Sequence, residues 1–163
     1  MKTLIALPVL VAALVLPARA DNYRVPQHAA FQEECSSCHI AYPPQMLDAD
    51  SWRAVMNGLS KHFGSDASVD EKRRTAITDF LVAHSGGRKT RSTRDANGKP
   101  LLRISETAYF KKEHREIAAT TWQRASIKSP ANCSACHAQA AAGDYNERSI
   151  TIPNLHPAVA RHL

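Results

Sequence analysis

All four cysteines of this 163-residue chain fall in two copies of one short pattern. The run "EECSSCHIAYPP" holds Cys35, Cys38 and His39, and "NCSACHAQA" holds Cys133, Cys136 and His137, 98 residues further on. A disulfide within Cys-x-x-Cys closes a very small loop and staples little. A thioredoxin-like site would use one pair and needs a βαβ setting, which the sequence does not offer. Zinc knuckles usually lie closer together, roughly 15–20 residues apart. None of these chemistries needs a histidine after each second cysteine. Covalent attachment of haem c needs it both times: the two thiols add to the haem vinyl groups and the adjacent imidazole reaches the iron from one face. Two attachment sites that exhaust the cysteines therefore predict two covalently bound haems c.

The N-terminus supports that chemistry. "MKTLIALPVLVAALVLPARA" has a basic Lys2, an apolar run from Leu4 to Leu16 and an Ala18-Arg19-Ala20 cleavage signal. It reads as a signal peptide over residues 1–20, too short in its apolar part to span a bilayer. The expected location is the bacterial periplasm, where haem attachment follows export and thioethers take the thiols out of an oxidising compartment. Lys2 and Arg19 leave with the signal, so 19 of the 21 basic residues remain against 15 acidic ones, a net +4. The excess is modest and partly sits in "GGRKTRSTR". A solvated basic loop accounts for it better than nucleic-acid binding, and it can steer an acidic redox partner. The expected state is a monomer.

The mature 143 residues leave about 70 per haem, too few for two large apolar cores. Each haem is expected to supply much of its own half's interior. Residues 21–34 contain a short helix leading into the first motif, and "YPPQ" breaks regular structure. "DADSWRAVMNGLSKHFG" predicts a helix capped by Asp50 or Ser51 and stopped by Gly64, with Trp52, Val55, Met56 and Leu59 as its apolar stripe, continued by His62 and Phe63. "SVDEKRRTAITDFLVAHSGG" predicts a second, capped by Ser68, with Ile77, Phe80, Leu81 and His84 on one face. Residues 85–100 are rich in Gly, Ser and charge and form the best boundary, dividing the mature chain into haem c domains at 21–88 and 89–163. "SETAYFKKEHREIAATTW" predicts a helix capped by Ser105, with Phe110, His114, Ile117, Ala118 and Thr121 on one side. "CSACHAQAAAG" reads as a short helix ending at Gly143. No strand pattern builds a sheet, so the fold class is mainly α.

His39 and His137 are proximal ligands by motif. The remaining histidines are 28, 62, 84, 114, 156 and 162, and the mature chain has only Met46 and Met56. His62 ends an apolar stripe and His114 sits among apolar neighbours on an otherwise charged helix, so both are candidate distal ligands. His84 competes, although the helix dipole explains a C-terminal histidine without iron. His28 precedes the first motif and could reach a haem; His156 and His162 lie in the tail. Met56 reads as core packing, and both methionines rank below His62.

"ECSSCHIAYPPQML", "SWRAVMNGLSKHFGSDAS" and "YFKKEH…W…SPANCSACHAQAAAGDYNERSITIP" resemble the small periplasmic dihaem cytochromes c of proteobacteria over nearly all of the mature chain. The resemblance implies an N-terminal half like a class I cytochrome c and a smaller C-terminal haem domain with little regular structure. It implies two low-spin, bis-histidine irons, with His62 of "HFG" and His114 of "KKEH" as distal ligands. It also implies redox partners such as a small high-spin oxygen-binding cytochrome c and membrane cytochromes b. The linker "RKTRSTR" and the tail after Pro153 match nothing in that family. The shared "YPP" suggests either a simple turn or a backbone carbonyl near Pro43 as acceptor for the Nδ1–H of His39.

The expected function is one-electron transfer by a protein that is not an enzyme. The rivals are a haem peroxidase or a nitrite- or oxygen-reducing enzyme, and a gas or redox sensor with one labile ligand. Both need an axial position that can open, and carbon monoxide binding to the reduced protein separates them from a carrier.

Overall fold

The computed structural model describes residues 22–87, 90 and 93–153. The leader at 1–20, His156 and His162 lie outside these residues. The chain is helical, with α1 at Ala29–Cys35, α2 at Ala49–Asn57, α3 at Glu71–Ala83, α4 at Ala108–Glu113 and α5 at Ala119–Trp122. Short 3-10 turns connect them, and among the described residues the extended pairings are isolated bridges. No helix there is long and apolar enough to cross a membrane.

The expected helices of the N-terminal half form, with different ends. Asp48, rather than Asp50 or Ser51, caps α2, and its carboxylate accepts from the Ser51 N–H at 2.8 Å. The helix stops at Asn57 because Gly58 follows, and the chain reaches His62 through a 3-10 turn at Leu59–Lys61. Asp70, rather than Ser68, caps α3 by accepting from the Arg73 N–H. An aspartate cap offers two acceptor oxygens to the unpaired N–H groups of the first turn. The single helix expected from Ser105 to Trp122 is instead broken. Thr107 caps α4, His114 ends it, and α5 restarts at Ala119. The second attachment motif forms 3-10 turns at Cys133–Ala135 and Ala140–Ala142 rather than one helix.

The two halves differ in how they fill their interiors. Phe31, Leu47, Trp52, Val55, Met56, Ile77, Phe80 and Leu81 form one buried cluster between α1, α2 and α3. All of them belong to the N-terminal half. Beyond residue 103, the buried apolar side chains among the described residues are Ile127, Ala140 and Ile152. Such a sparse set cannot hold 50 residues in place by area burial alone.

The charged segment between the halves is less solvated than its composition implies. Thr90 and Thr93 are buried. The Thr93 N–H donates to the second Asp48 carboxylate oxygen at 3.1 Å, and its hydroxyl lies 2.7 Å from that of Ser51. Arg94 pairs with Asp50. At the other end of the chain, Tyr23 donates its N–H to the Gly143 carbonyl at 2.9 Å. Gly143 has φ +82°, and a Cβ there would lie 2.2 Å from the Tyr23 carbonyl oxygen. Only glycine permits this approach, which brings Tyr23 to the C-terminal half.

Asp48 thus ties α2 to the interdomain segment. Burial alone would raise its pKa, but hydrogen bonds from Thr93 and Ser51 outweigh it and hold the carboxylate below its ordinary 3.8. A depressed carboxylate contributes stability above its unfolded pKa, and that contribution disappears as pH falls through the folded value. Asp48→Ala should therefore cost about 1–2 kcal/mol in denaturant unfolding at neutral pH. The difference from the wild type should shrink below about pH 4, where the wild-type carboxylate also protonates.

Candidate haem sites

The first site lies where α1 ends and the turn after α2 begins. His39 is exposed and His62 half-buried, and their ring centres are 6.2 Å apart with planes 26° from parallel. The second site joins the end of α4 to the second motif. There the ring centres of His114 and His137 are also 6.2 Å apart, with planes at 75°. An imidazole nitrogen sits roughly 2.0–2.1 Å from a first-row metal, with the ring centre about 1.1 Å beyond, so trans imidazoles on one metal hold their centres about 6.2–6.4 Å apart. Both pairs have this separation, and each pair joins a motif histidine to a histidine of the same half.

Hydrogen bonds orient these rings. The His39 Nδ1 lies 2.7 Å from the Ile40 carbonyl, and the His114 Nδ1 lies 2.9 Å from the Phe110 carbonyl. A protonated Nδ1 donating to a carbonyl leaves the Nε2 lone pair free for a metal and raises its basicity. The acceptor for His39 is thus Ile40 and not a carbonyl near Pro43. The Pro43 carbonyl accepts from the Met46 N–H, and that of Pro44 accepts from the Trp52 indole at 2.6 Å. Both are already engaged in building the turn that leads into α2.

Burial, His39 and Arg103 lower the pKa of His62. Burial lowers His114 and His137 as well. All three are biased towards the neutral imidazole, which is the ligating form. Arg103 also lies 4.0 Å from the centre of the Phe63 ring. Phe63 does not continue the apolar stripe: it is 45% exposed, with φ +52°.

The second site opens into a largely apolar cavity walled by Phe110, Ile117, Trp122 and Tyr145, with Tyr23 and Met46 reaching in from the N-terminal half. Phe110 lies against His114, with ring centres 3.9 Å apart, and Trp122 is 5.7 Å away. His137 Nδ1 and the Tyr145 hydroxyl are buried in this wall without a hydrogen-bond partner. Leaving the Tyr145 hydroxyl unpaired costs roughly 1–3 kcal/mol, so the wall suits a bound group with a polar edge as well as an apolar face. A haem, with its apolar macrocycle and its propionates, fits that description.

The thiols suit attachment better than their alternatives. All four are free, and among the described residues no group of three or more His, Cys, Asp or Glu is arranged to hold a metal ion. Burial, aided by Glu34, pushes Cys35 up to about 11; burial also pushes Cys133 up to about 11 and raises Cys136. A thioredoxin-like site instead stabilises its thiolate.

The other candidate ligands sit elsewhere. His84 is the exposed C-cap of α3, with its ring on Phe80. His28 caps α1, its Nδ1 accepting from the Phe31 N–H at 3.1 Å. Met56 is in the N-terminal core, and Met46 is buried in the cavity wall. Trp122, Tyr145 and Tyr42 appear in the family-like motifs but periodicity gave them no role, because aromatic residues outside a periodic stripe carry no local signal of what they face.

The profile of the family described as dihaem cytochrome c matches residues 31–145. Solved structures give the same result. The dihaem cytochrome c of Shewanella baltica OS155 is 35% identical, with a TM-score of 0.67 over 80% of this chain and 97% of that one. The DHC purified from Rhodobacter sphaeroides is 40% identical, with a TM-score of 0.62 over 75% of this chain and all of that one. A second structure of the dihaem cytochrome c from Rhodobacter sphaeroides is 39% identical, with a TM-score of 0.64. No curated protein matches. With two attachment motifs, a mainly helical fold shared with these structures and a profile match across both halves, the chain belongs to the dihaem cytochrome c family and carries two covalently bound haems c.

Proposed function

We propose that this protein is a periplasmic electron carrier that passes single electrons between redox proteins through two bis-histidine, low-spin haems. The observation that carries the proposal is the pair of 6.2 Å imidazole separations, one in each half. Bound haem supplies an iron that cycles between ferrous and ferric. In this reading Cys35 and Cys38 anchor the first haem between His39 and His62. Cys133 and Cys136 anchor the second between His114 and His137. The Ile40 and Phe110 carbonyls hold His39 and His114 with Nε2 free, and Phe110 and Trp122 shield His114 from water.

A haem enzyme or gas sensor needs an axial position open to its substrate, with a polar distal pocket beside it. The second imidazole 6.2 Å from each motif histidine supports the carrier reading over these. A small high-spin oxygen-binding cytochrome c and a membrane cytochrome b are the partner classes that suit this role. The net basic charge would speed encounter with an acidic partner surface.

Carbon monoxide tests the reading. The reduced wild-type protein should not bind it. His62→Ala and His114→Ala should each convert one haem to a high-spin, carbon monoxide-binding form, while His84→Ala should leave both low-spin. Carbon monoxide binding by the wild type, or opening of an iron by the His84 change alone, would overturn the ligand assignment.

The ring planes give an independent test. Nearly parallel imidazoles separate the two iron d orbitals that overlap their π systems, whereas crossed imidazoles leave them close in energy. With planes at 26° and 75°, electron paramagnetic resonance of the ferric protein should show two unlike low-spin signals. The N-terminal haem should be rhombic, and the C-terminal one highly anisotropic with a large leading g value. Two identical signals would contradict this geometry.

A further inference from the structure

The two attachment motifs face each other across a shallow cleft lined by Cys38, His39 and Tyr42 on one side and Ala131, Asn132 and Cys133 on the other. Tyr42 spans it. Its ring lies nearly parallel to that of His39, with centres 4.7 Å apart and planes within 23°. Its hydroxyl donates to the Ala131 carbonyl, 89 residues away, at 2.6 Å. The same carbonyl accepts the Cys133 N–H at 3.0 Å. An unbroken series of short contacts therefore runs from one proximal imidazole, through a phenol and a shared carbonyl, to the backbone of a cysteine that anchors the other haem.

We propose that Tyr42 is the positioning residue that couples the two haem sites, holding them in fixed register and supplying the contact path for electron exchange between them. The inference rests on the electron-carrier reading. Tyr42 itself is neither oxidised nor deprotonated. One electron leaves the ferrous iron of one haem and arrives at the ferric iron of the other, with no bond made or broken. Burial raises the phenol pKa to about 12, so the hydroxyl remains a donor across the physiological range. The contact also depends on both halves. Its acceptor lies beyond α5 in a turn held by the Asn132 side chain, which donates to the Ile127 carbonyl at 3.0 Å, and Ile127 is fully buried.

The test uses the holoprotein with both haems attached. Tyr42→Phe keeps the ring against His39 and removes only the hydroxyl; Tyr42→Leu removes both contacts. A soluble photosensitiser injects one electron, and equilibration between the haems is followed by absorbance. Absorption spectra and midpoint potentials of each variant report separately on ligation and driving force. A severalfold slower exchange in Tyr42→Phe, slower again in Tyr42→Leu, with low-spin spectra and midpoints retained, supports the proposal. Wild-type exchange rates in both variants overturn it and leave the carrier reading intact. Slowing that occurs only with loss of the low-spin spectrum at the first haem also overturns it, because Tyr42 would then merely support His39. Absence of exchange in the wild type itself overturns the coupling role and counts against the carrier reading.

Discussion

The architecture follows from one geometric requirement. A Cys-x-x-Cys-His run places two thiols and one imidazole on a haem by itself, but in the proposed bis-histidine arrangement the opposite imidazole must come from elsewhere in the fold. Two Fe–N bonds leave about 6.2–6.4 Å between ring centres, with little slack. In each half the histidine proposed for that place sits at a helix end. His62 follows the 3-10 turn after α2, and His114 is the C-cap of α4. Helix ends suit the task because their backbone is anchored on one side while the terminal side chain can turn away from the helix axis.

The halves hold those ends in different ways. In the N-terminal half, a buried cluster of eight apolar residues fixes α2 against α3, and the turn carrying His62 hangs from that frame. Among the described residues the C-terminal half has no such frame. Its aromatic side chains wall a cavity, and two of its polar groups are left without partners. That leaves the interior for the cofactor to complete, as expected for a half of about 75 residues that cannot bury enough apolar surface by itself. Loss of haem should accordingly cost the C-terminal half more order than the N-terminal half.

The two units are also joined more closely than the glycine- and charge-rich linker suggests. Asp48 binds Thr93, Tyr23 binds Gly143, and Tyr42 binds Ala131. Three separate contacts, each from the N-terminal half to a later segment, keep the attachment motifs facing one another. Contacts of this kind are inexpensive individually, but together they fix how the two attachment motifs sit relative to one another. For a carrier, that placement governs internal exchange as much as the ligands do.

The attachment chemistry, the number of haems and the main helices could be read in the linear sequence. Adjacent residues create the Cys-x-x-Cys-His signal, and a repeat every three to four residues creates the stripes of Trp52–Met56 and Ile77–Leu81. Candidate distal histidines were visible for the same reason, since His62 and His114 each border an apolar stretch. The exact caps were not, because Asp48 and Asp50, or Ser68 and Asp70, offer equivalent oxygens and tertiary contacts choose between them. The break between α4 and α5 was equally hidden, because the side chains there follow a cavity wall rather than a helix face. Only the tertiary structure decided that His39 is held by Ile40, that Phe63 turns out towards Arg103, and that Tyr42 reaches Ala131. Each of these depends on the direction of a side chain or carbonyl in space, which neighbours far along the chain determine and local sequence does not encode.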